Sequence, residues 1–223
     1  MNVASCVISG SAALFMFHPD AFIPNDVDFY VSSSGADKFT TALHARGYRE
    51  KEEQPMQTLY GKTFALRVGR LYKIGVTGMV NLIITRDANP FNTLVQFHTT
   101  LVMNAITSDA VISLYPTTTL SGEGVVTVNT EKTRRCFMKY LTWGFKLSTL
   151  FSPHTCLTTA YCRKTTRSIE DKDVLVIPFT ETGSKETALS DFSPFHWRID
   201  ALGRSRTGLP GKLLLFPKKR VYF

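Results

Sequence analysis

The sequence predicts an α+β fold: a mixed β-sheet with flanking helices, followed by a less regular C-terminal extension. Three observations predict it. Apolar runs of strand length interleave with stretches of helical spacing through the first 150 residues. Three strand-like runs follow one another between Thr63 and Thr85, and Thr77-Gly78 suits a tight hairpin turn between the last two. After about Ser152 the periodicity weakens and Cys, His, Thr and Arg accumulate.

The elements follow in order. Ala4–Ser9 is an apolar run ended by Gly10, and Ser11–Phe17 has helical character up to the breaker Pro19. Pro24-Asn25 leads into a strand over Val27–Val31, and Ser32 to Gly35 is a loop. Ala36 to Arg46 carries Phe39, Ala42 and Leu43 on one helical face, with Gly47 as C-cap. Thr63–Val68, Tyr72–Val76 and Met79–Thr85 are the three strand-like runs. Pro90 to Thr107 reads as a helix with Leu94, Phe97, Leu101 and Ala105 on one stripe. Val111–Tyr115 is a strand closed by Pro116, and Glu131 to Leu147 is a second long helix with Phe137, Tyr140, Leu141 and Phe145 on its apolar face. Val174–Phe179 is one more strand, little regular pattern follows Thr180, and Leu213–Phe216 reads as a short strand. The expected organisation is a domain over 1–150, a Cys/Thr/Arg-rich extension over 151–203 and a basic tail over 204–223.

Composition narrows the function classes. The chain has 223 residues, 43% of them hydrophobic, which suffices for one good core. No apolar stretch approaches the roughly 18 residues of a membrane span, so no membrane partner is expected. The start lacks a basic region ahead of its apolar run, which argues against a signal peptide. Met1 stands only a few residues before the first strand, an abrupt start that leaves room for a missing upstream helix. Four unevenly placed cysteines do not make a disulfide scaffold, so an intracellular location, cytoplasmic or nuclear, is expected. The net charge of +8 is concentrated in the second half: residues 1–100 hold 9 Lys/Arg against 8 Asp/Glu, and 101–223 hold 17 against 10. That excess suits nucleotide phosphates or nucleic acid, and equally a solvated basic surface. Nucleic-acid binding by the basic half alone would be salt-sensitive and independent of the acids discussed next.

Asp26 and Asp28 stand two residues apart in Pro24-Asn25-Asp26-Val27-Asp28-Phe29-Tyr30-Val31. A strand points residues i and i+2 to one face, so both carboxylates face the same way on rigid backbone. Gly10-Ser11 lies fifteen residues upstream, between the first strand and the first helix. A helix start after a glycine turn offers free N–H groups to phosphate, and paired carboxylates suit a hard cation that keeps several waters.

Strand, Gly-Ser, helix, Asp-x-Asp strand and a later strand of a mixed sheet, taken together, resemble the nucleotidyltransferase fold of the DNA polymerase beta superfamily over roughly residues 3–116. More closely, the chain is similar to a group of nucleotidyltransferase-like proteins of mushroom-forming fungi for which no substrate is established. The similarity runs through Val7–Leu14, Pro24–Val31, Phe97-His98 to Met103-Asn104, Leu114-Tyr115-Pro116 and Cys156–Arg167, over about residues 1–180. The resemblance implies that Gly10 and Ser11 hold nucleotide phosphates and that Asp26 and Asp28 bind Mg or Mn. It also implies a third acid on a later strand, which completes a two-metal site for transfer of a nucleoside monophosphate from a nucleoside triphosphate. The acceptor is an unspecified hydroxyl of a protein, nucleic acid or small molecule.

This chain departs from that pattern at the third position. Asn81 occupies it in Gly78-Met79-Val80-Asn81-Leu82-Ile83-Ile84-Thr85. An amide lends a carbonyl oxygen but no charge, and it is a poor general base. Asp87 follows the strand as a substitute reaching from a loop. The alternative expectation is therefore a catalytically inactive nucleotide-binding or interaction module that keeps the fold. Three lesser constellations remain. Cys136, His154, Cys156 and Cys162 have the ligand types of a tetrahedral zinc site, against a plain reading of buried thiols and a surface histidine. His98 is a candidate phosphate contact or a helix-packing histidine. Lys132, Arg134, Arg135 and Lys139 are candidates to steer a nucleotide or form a charged outer helix face.

Overall fold

The computed structural model describes residues 5–51, 65–148, 165–199 and 205–207. It is an α+β structure built on a large mixed sheet with helices on both faces. The leading strands are β1 (Cys6–Ser9), β2 (Asp26–Ser32), β3 (Arg49–Glu50), β4 (Ala65–Tyr72) and β5 (Met79–Thr85). With β6 (Asn104–Ile106), β7 (Ala110–Ser113) and β11 (Leu175–Pro178), they form one sheet in the order β11-β7-β6-β1-β2-β5-β4-β3. At its centre β2 runs antiparallel to β1, with Ser9 opposite Asp28, and parallel to β5, with Asp28 opposite Asn81. β4 pairs antiparallel with β5, with Arg70 opposite Asn81.

Strand alternation sorts these residues onto two faces. Val7, Tyr30 and Ile83 point into the larger core, where α1 (Ser11–Phe15) contributes the fully buried Leu14. Cys6, Val31, Val80 and Leu82 point the other way and are covered by Leu43 and Phe39 of α2 (Ala36–Ala45). Burying a side chain such as Leu14 contributes roughly 1.5–3 kcal/mol, so this two-sided burial fixes the register of β2. The side-chain oxygen of Ser32 accepts from the Gly35 N–H ahead of α2. At the other end Gly47 adopts φ +86°, with Tyr48 N–H donating to Leu43 O and Gly47 N–H to His44 O, the paired bonds of a glycine stop.

Four expectations need correction. The stretch Pro90 to Thr107 is not one helix: α3 spans only Phe91–Leu94, then come a 3-10 turn at Thr100–Val102 and β6. Its stripe Leu94, Phe97, Leu101 and Ala105 is buried, but so are Thr93, Thr99, Thr100 and Asn104. Three of those side chains bond to backbone instead: Thr99 accepts from Leu101 N–H, Asn104 donates to Leu101 O, and Thr100 accepts from Val125 N–H. Such local bonds compete with helical ones and win here. Glu131 to Leu147 is helical only as α5 (Glu131–Thr142), which starts on a Thr130/Thr133 capping box. Gly144 at φ +87° stops it, with Phe145 N–H to Tyr140 O and Gly144 N–H to Leu141 O. Leu141 is accordingly exposed, while Tyr140 and Phe145 are buried. The runs Thr63–Val68 and Tyr72–Val76 are not separate strands: Ala65–Tyr72 is continuous, and 73–78 is its turn into β5.

The region after Thr180 is also more regular than its sequence suggests. α6 (Lys185–Leu189) and β12 (His196–Ile199) lie there, and β12 pairs with β10 (Arg167–Ser168) and β13 (Ser205–Thr207) in a small sheet. β11 joins the large sheet alongside β7, and Trp197 of β12 packs in the larger core. Arg167 ties these parts together. It is 2% exposed, lies 5.2 Å from the ring centres of both Tyr115 and Trp197, pairs with Asp171, and donates to Leu114 O. The remaining elements are α4 (Pro116–Leu120) and the parallel pair β8 (Glu123–Val125) and β9 (Lys146–Ser148). Among the described residues no helix is long and apolar enough to cross a membrane. Leu213–Phe216 and most of the basic tail lie outside the described residues.

Candidate functional site

Asp26 and Asp28 open β2 on the face shared with Tyr30, at the margin of the larger core. The parallel register brings Asn81 beside them, and its amide nitrogen donates to both carboxylates, 2.9 Å to Asp26 Oδ2 and 2.7 Å to Asp28 Oδ1. The two acids therefore converge on one point. The second oxygen of Asp28 faces the turn between β1 and α1. A Cβ on Gly10 would lie 2.6 Å from Asp28 Oδ2, and Gly10 sits at φ +70°, so this position requires glycine twice over. Ser11, the first residue of α1, is buried next to that turn. Gly10, Ser11, Asp26, Asp28 and Asn81 thus lie at one end of the sheet, where β1 ends and β2 and β5 begin. Asp87 lies beyond the opposite end of β5, where its carbonyl accepts from the Thr85 hydroxyl. At about 3.3 Å per strand residue it is too far along β5 to join the acids.

The electrostatics follow from burial. Desolvation pushes the Asp28 carboxyl up from 3.8 to about 6; the Asn81 hydrogen bond opposes this, the Asp26 charge adds to it, and the Lys139 ammonium opposes it. Asp28 is thus a carboxylate held in a costly state at neutral pH, a pattern that clusters at functional sites. The sign of the linkage follows. A carboxyl whose folded value is raised contributes stability that is full below the unfolded 3.8 and lost as pH rises through about 6. Asp28→Asn, which never ionises and still accepts from Asn81, should be more stable than the unaltered chain at pH 7.5 by about 1–3 kcal/mol. Below about pH 4 the two should unfold alike. Urea unfolding at both pH values checks this; equal midpoints at pH 7.5 would mean that Asp28 is well solvated.

The donor set suits one hard cation. Two carboxylates that share a point, with substrate phosphates and water, suffice for Mg, and rotation of the Asn81 amide turns its carbonyl oxygen to the same point. It does not suit a second ion bridged by a third acid, because position 81 carries no charge. Among the described residues no group of three or more His, Cys, Asp or Glu side chains is arranged for a metal. Of the zinc candidates, His154, Cys156 and Cys162 lie outside the described residues. Cys136 is a half-buried free thiol whose pKa is raised by burial.

Two basic side chains complete the surroundings. Lys139 is exposed on α5 together with Lys132, Arg134 and Arg135. Its ammonium lies 4.6 Å from the Trp143 ring centre and bears on both Asp28 and His98. Arg70 is exposed on β4 directly opposite Asn81, hence on the acids' face. Sequence reading missed it because Arg70 falls in the gap between two expected strands; only the β4–β5 register reveals its place. His98 is buried, stacked on Tyr140 at 5.8 Å, and lowered to about 4 by burial and Lys139. It is neutral at physiological pH and brings no charge to a phosphate. No family model, no curated protein and no solved structure matches the chain.

Proposed function

We propose that the chain is a nucleotidyltransferase-like protein of the DNA polymerase beta-like kind. In this reading it binds a nucleoside triphosphate with Mg or Mn at Asp26 and Asp28 and transfers a nucleoside monophosphate to a hydroxyl acceptor. The observation that carries the reading is the convergence of both carboxylates within 2.9 Å of one atom, against a glycine turn. Asp26 and Asp28 would hold the cation, which when bound neutralises phosphate charge and orients the triphosphate. Gly10 lets the turn approach Asp28 closely, and the Ser11 N–H at the start of α1 is a donor for phosphate oxygens. In the transfer, the acceptor oxygen forms a bond to the α-phosphorus while the α–β phosphoanhydride bond breaks. Pyrophosphate leaves, and the acceptor's proton passes to water because Asn81 cannot take it. Most of the rate enhancement would come from positioning and electrostatics.

One observation favours a second reading, an inactive nucleotide-binding or interaction module. Asn81 already satisfies both acids with an uncharged donor, as a bound cation would. One experiment separates the two. Calorimetry with Mg and a nucleoside triphosphate should show binding that falls at least about 100-fold in Asp26→Ala/Asp28→Ala, two charge-assisted contacts being lost. Binding unchanged in the folded double variant refutes the site. Release of pyrophosphate above the double-variant background supports transfer, and binding without release supports the inactive module.

A further inference from the structure

We infer that Arg70 takes the place of a second metal ion, so that the site works with a single divalent cation and a guanidinium. This rests on the nucleotide-binding reading above. The antiparallel register of β4 and β5 sets Arg70 directly opposite Asn81, and the parallel register of β5 and β2 sets Asn81 opposite Asp28. The three positions are one row across the sheet, with side chains on one face. The neighbours confirm the facing: Val68, two residues before Arg70, packs against the larger core with Ile83, while Leu71 lies in the core of the opposite face.

The charges balance. A carboxylate with a divalent cation carries the same net charge as an amide with a guanidinium. The row Asp28, Asn81, Arg70 therefore presents to a polyphosphate the charge that two acids and an added ion would present. The guanidinium also has the right form. It is permanently charged and its planar fork meets two phosphate oxygens at once. Arg70 is exposed and free to turn toward a ligand. Asn81 is 9% exposed and carries no charge, so the charged phosphate contact on this side falls to Arg70. An acid at position 81 would pair with Arg70 across the strands and silence it; an amide leaves the guanidinium available.

The test titrates the full chain with Mn and a non-hydrolysable nucleoside triphosphate analogue, counting bound ions by electron paramagnetic resonance. The unaltered chain should hold one Mn per chain in the ternary complex. Arg70→Met should bind the analogue at least about ten-fold more weakly, with the Mn count unchanged, and Arg70→Lys should recover part of the loss. Because Arg70 is exposed, thermal unfolding of the apo protein should be the same in all three. Two Mn per chain, or undiminished analogue binding by Arg70→Met, overturns the role of Arg70 while the nucleotide site stands. Absence of analogue binding by the unaltered chain overturns both.

Discussion

Asp171→Ala is expected to be among the most destabilising single substitutions in this chain, by about 3–5 kcal/mol. The cost falls on Arg167 rather than on Asp171. The guanidinium is 2% exposed and lies between Tyr115 and Trp197; its Nε and Nη2 bond Asp171 at 2.5 and 2.9 Å. Removing the carboxylate leaves a buried cation that, among the described residues, keeps the Leu114 carbonyl, the ring faces and the unbonded charge of Asp173, and burial without a bonded partner costs far more than an exposed pair gains. Asp171 also accepts from the N–H groups of Ser168 and Asp173, so the turn it organises loosens too. Burial alone would raise the Asp171 pKa, but the hydrogen bond and charge of Arg167 hold it below the ordinary carboxylate value. Its contribution is therefore present above the unfolded carboxyl pKa and lost as pH falls through the lower folded one. Denaturant unfolding at acid pH checks both: as pH falls below the unfolded carboxyl value of 3.8 the unaltered chain should lose stability, and Asp171→Ala should lose less, because its loss is already incurred. Arg167→Met should cost less than Asp171→Ala, since it leaves Asp171 partly in water and no charge in the core.

Gly10→Ala is expected to cost about 2–4 kcal/mol, combining backbone strain with a clash. At φ +70° an L-residue is disfavoured, and the new methyl carbon would lie 2.6 Å from Asp28 Oδ2, which no relaxed structure tolerates. Asp28 has little freedom to yield, because Asn81 holds its other oxygen and β1 pairs with β2 up to Ser9. The substitution should therefore also displace the acid from the shared point and weaken cation-dependent nucleotide binding together with stability. Gly69→Ala is the control: it has open space at its Cβ and no positive φ, so its midpoint should stay within about 0.5 kcal/mol of the unaltered chain's. A Gly10→Ala protein as stable as the Gly69→Ala control would show that the turn and Asp28 are not in contact.

The sequence and the structure agree where short-range physics decides. The Cys6–Ser9 strand, its Gly10 turn and the Asp26–Ser32 strand follow from apolar alternation and one glycine. The helix Ala36–Ala45 ends at the glycine its periodicity marks. Agreement fails where burial is complete and the period ceases to discriminate. Between Pro90 and Thr107 nearly every side chain is inside, so an apolar stripe at helical spacing fits a helix and a folded-back loop equally. Thr99, Thr100 and Asn104 decide between them through bonds to particular backbone groups, and those partners exist only after folding. Gly144 carried a legible stop signal, outweighed in the sequence by the apolar spacing on either side.

Residue identity and spacing alone put Asp26 and Asp28 on one face of a strand, set Gly10 at the turn and placed an amide at position 81. These depend on the two-residue period of a strand and on chemistry fixed by the side chain itself. Tertiary pairing decided the rest: that Asn81 reaches both carboxylates, that Asp28 lies against Gly10 and is desolvated there, and that Arg70 completes the row. Hydrogen-bond partners, dielectric and strand register join residues dozens of positions apart, and no local pattern encodes them until the sheet has formed.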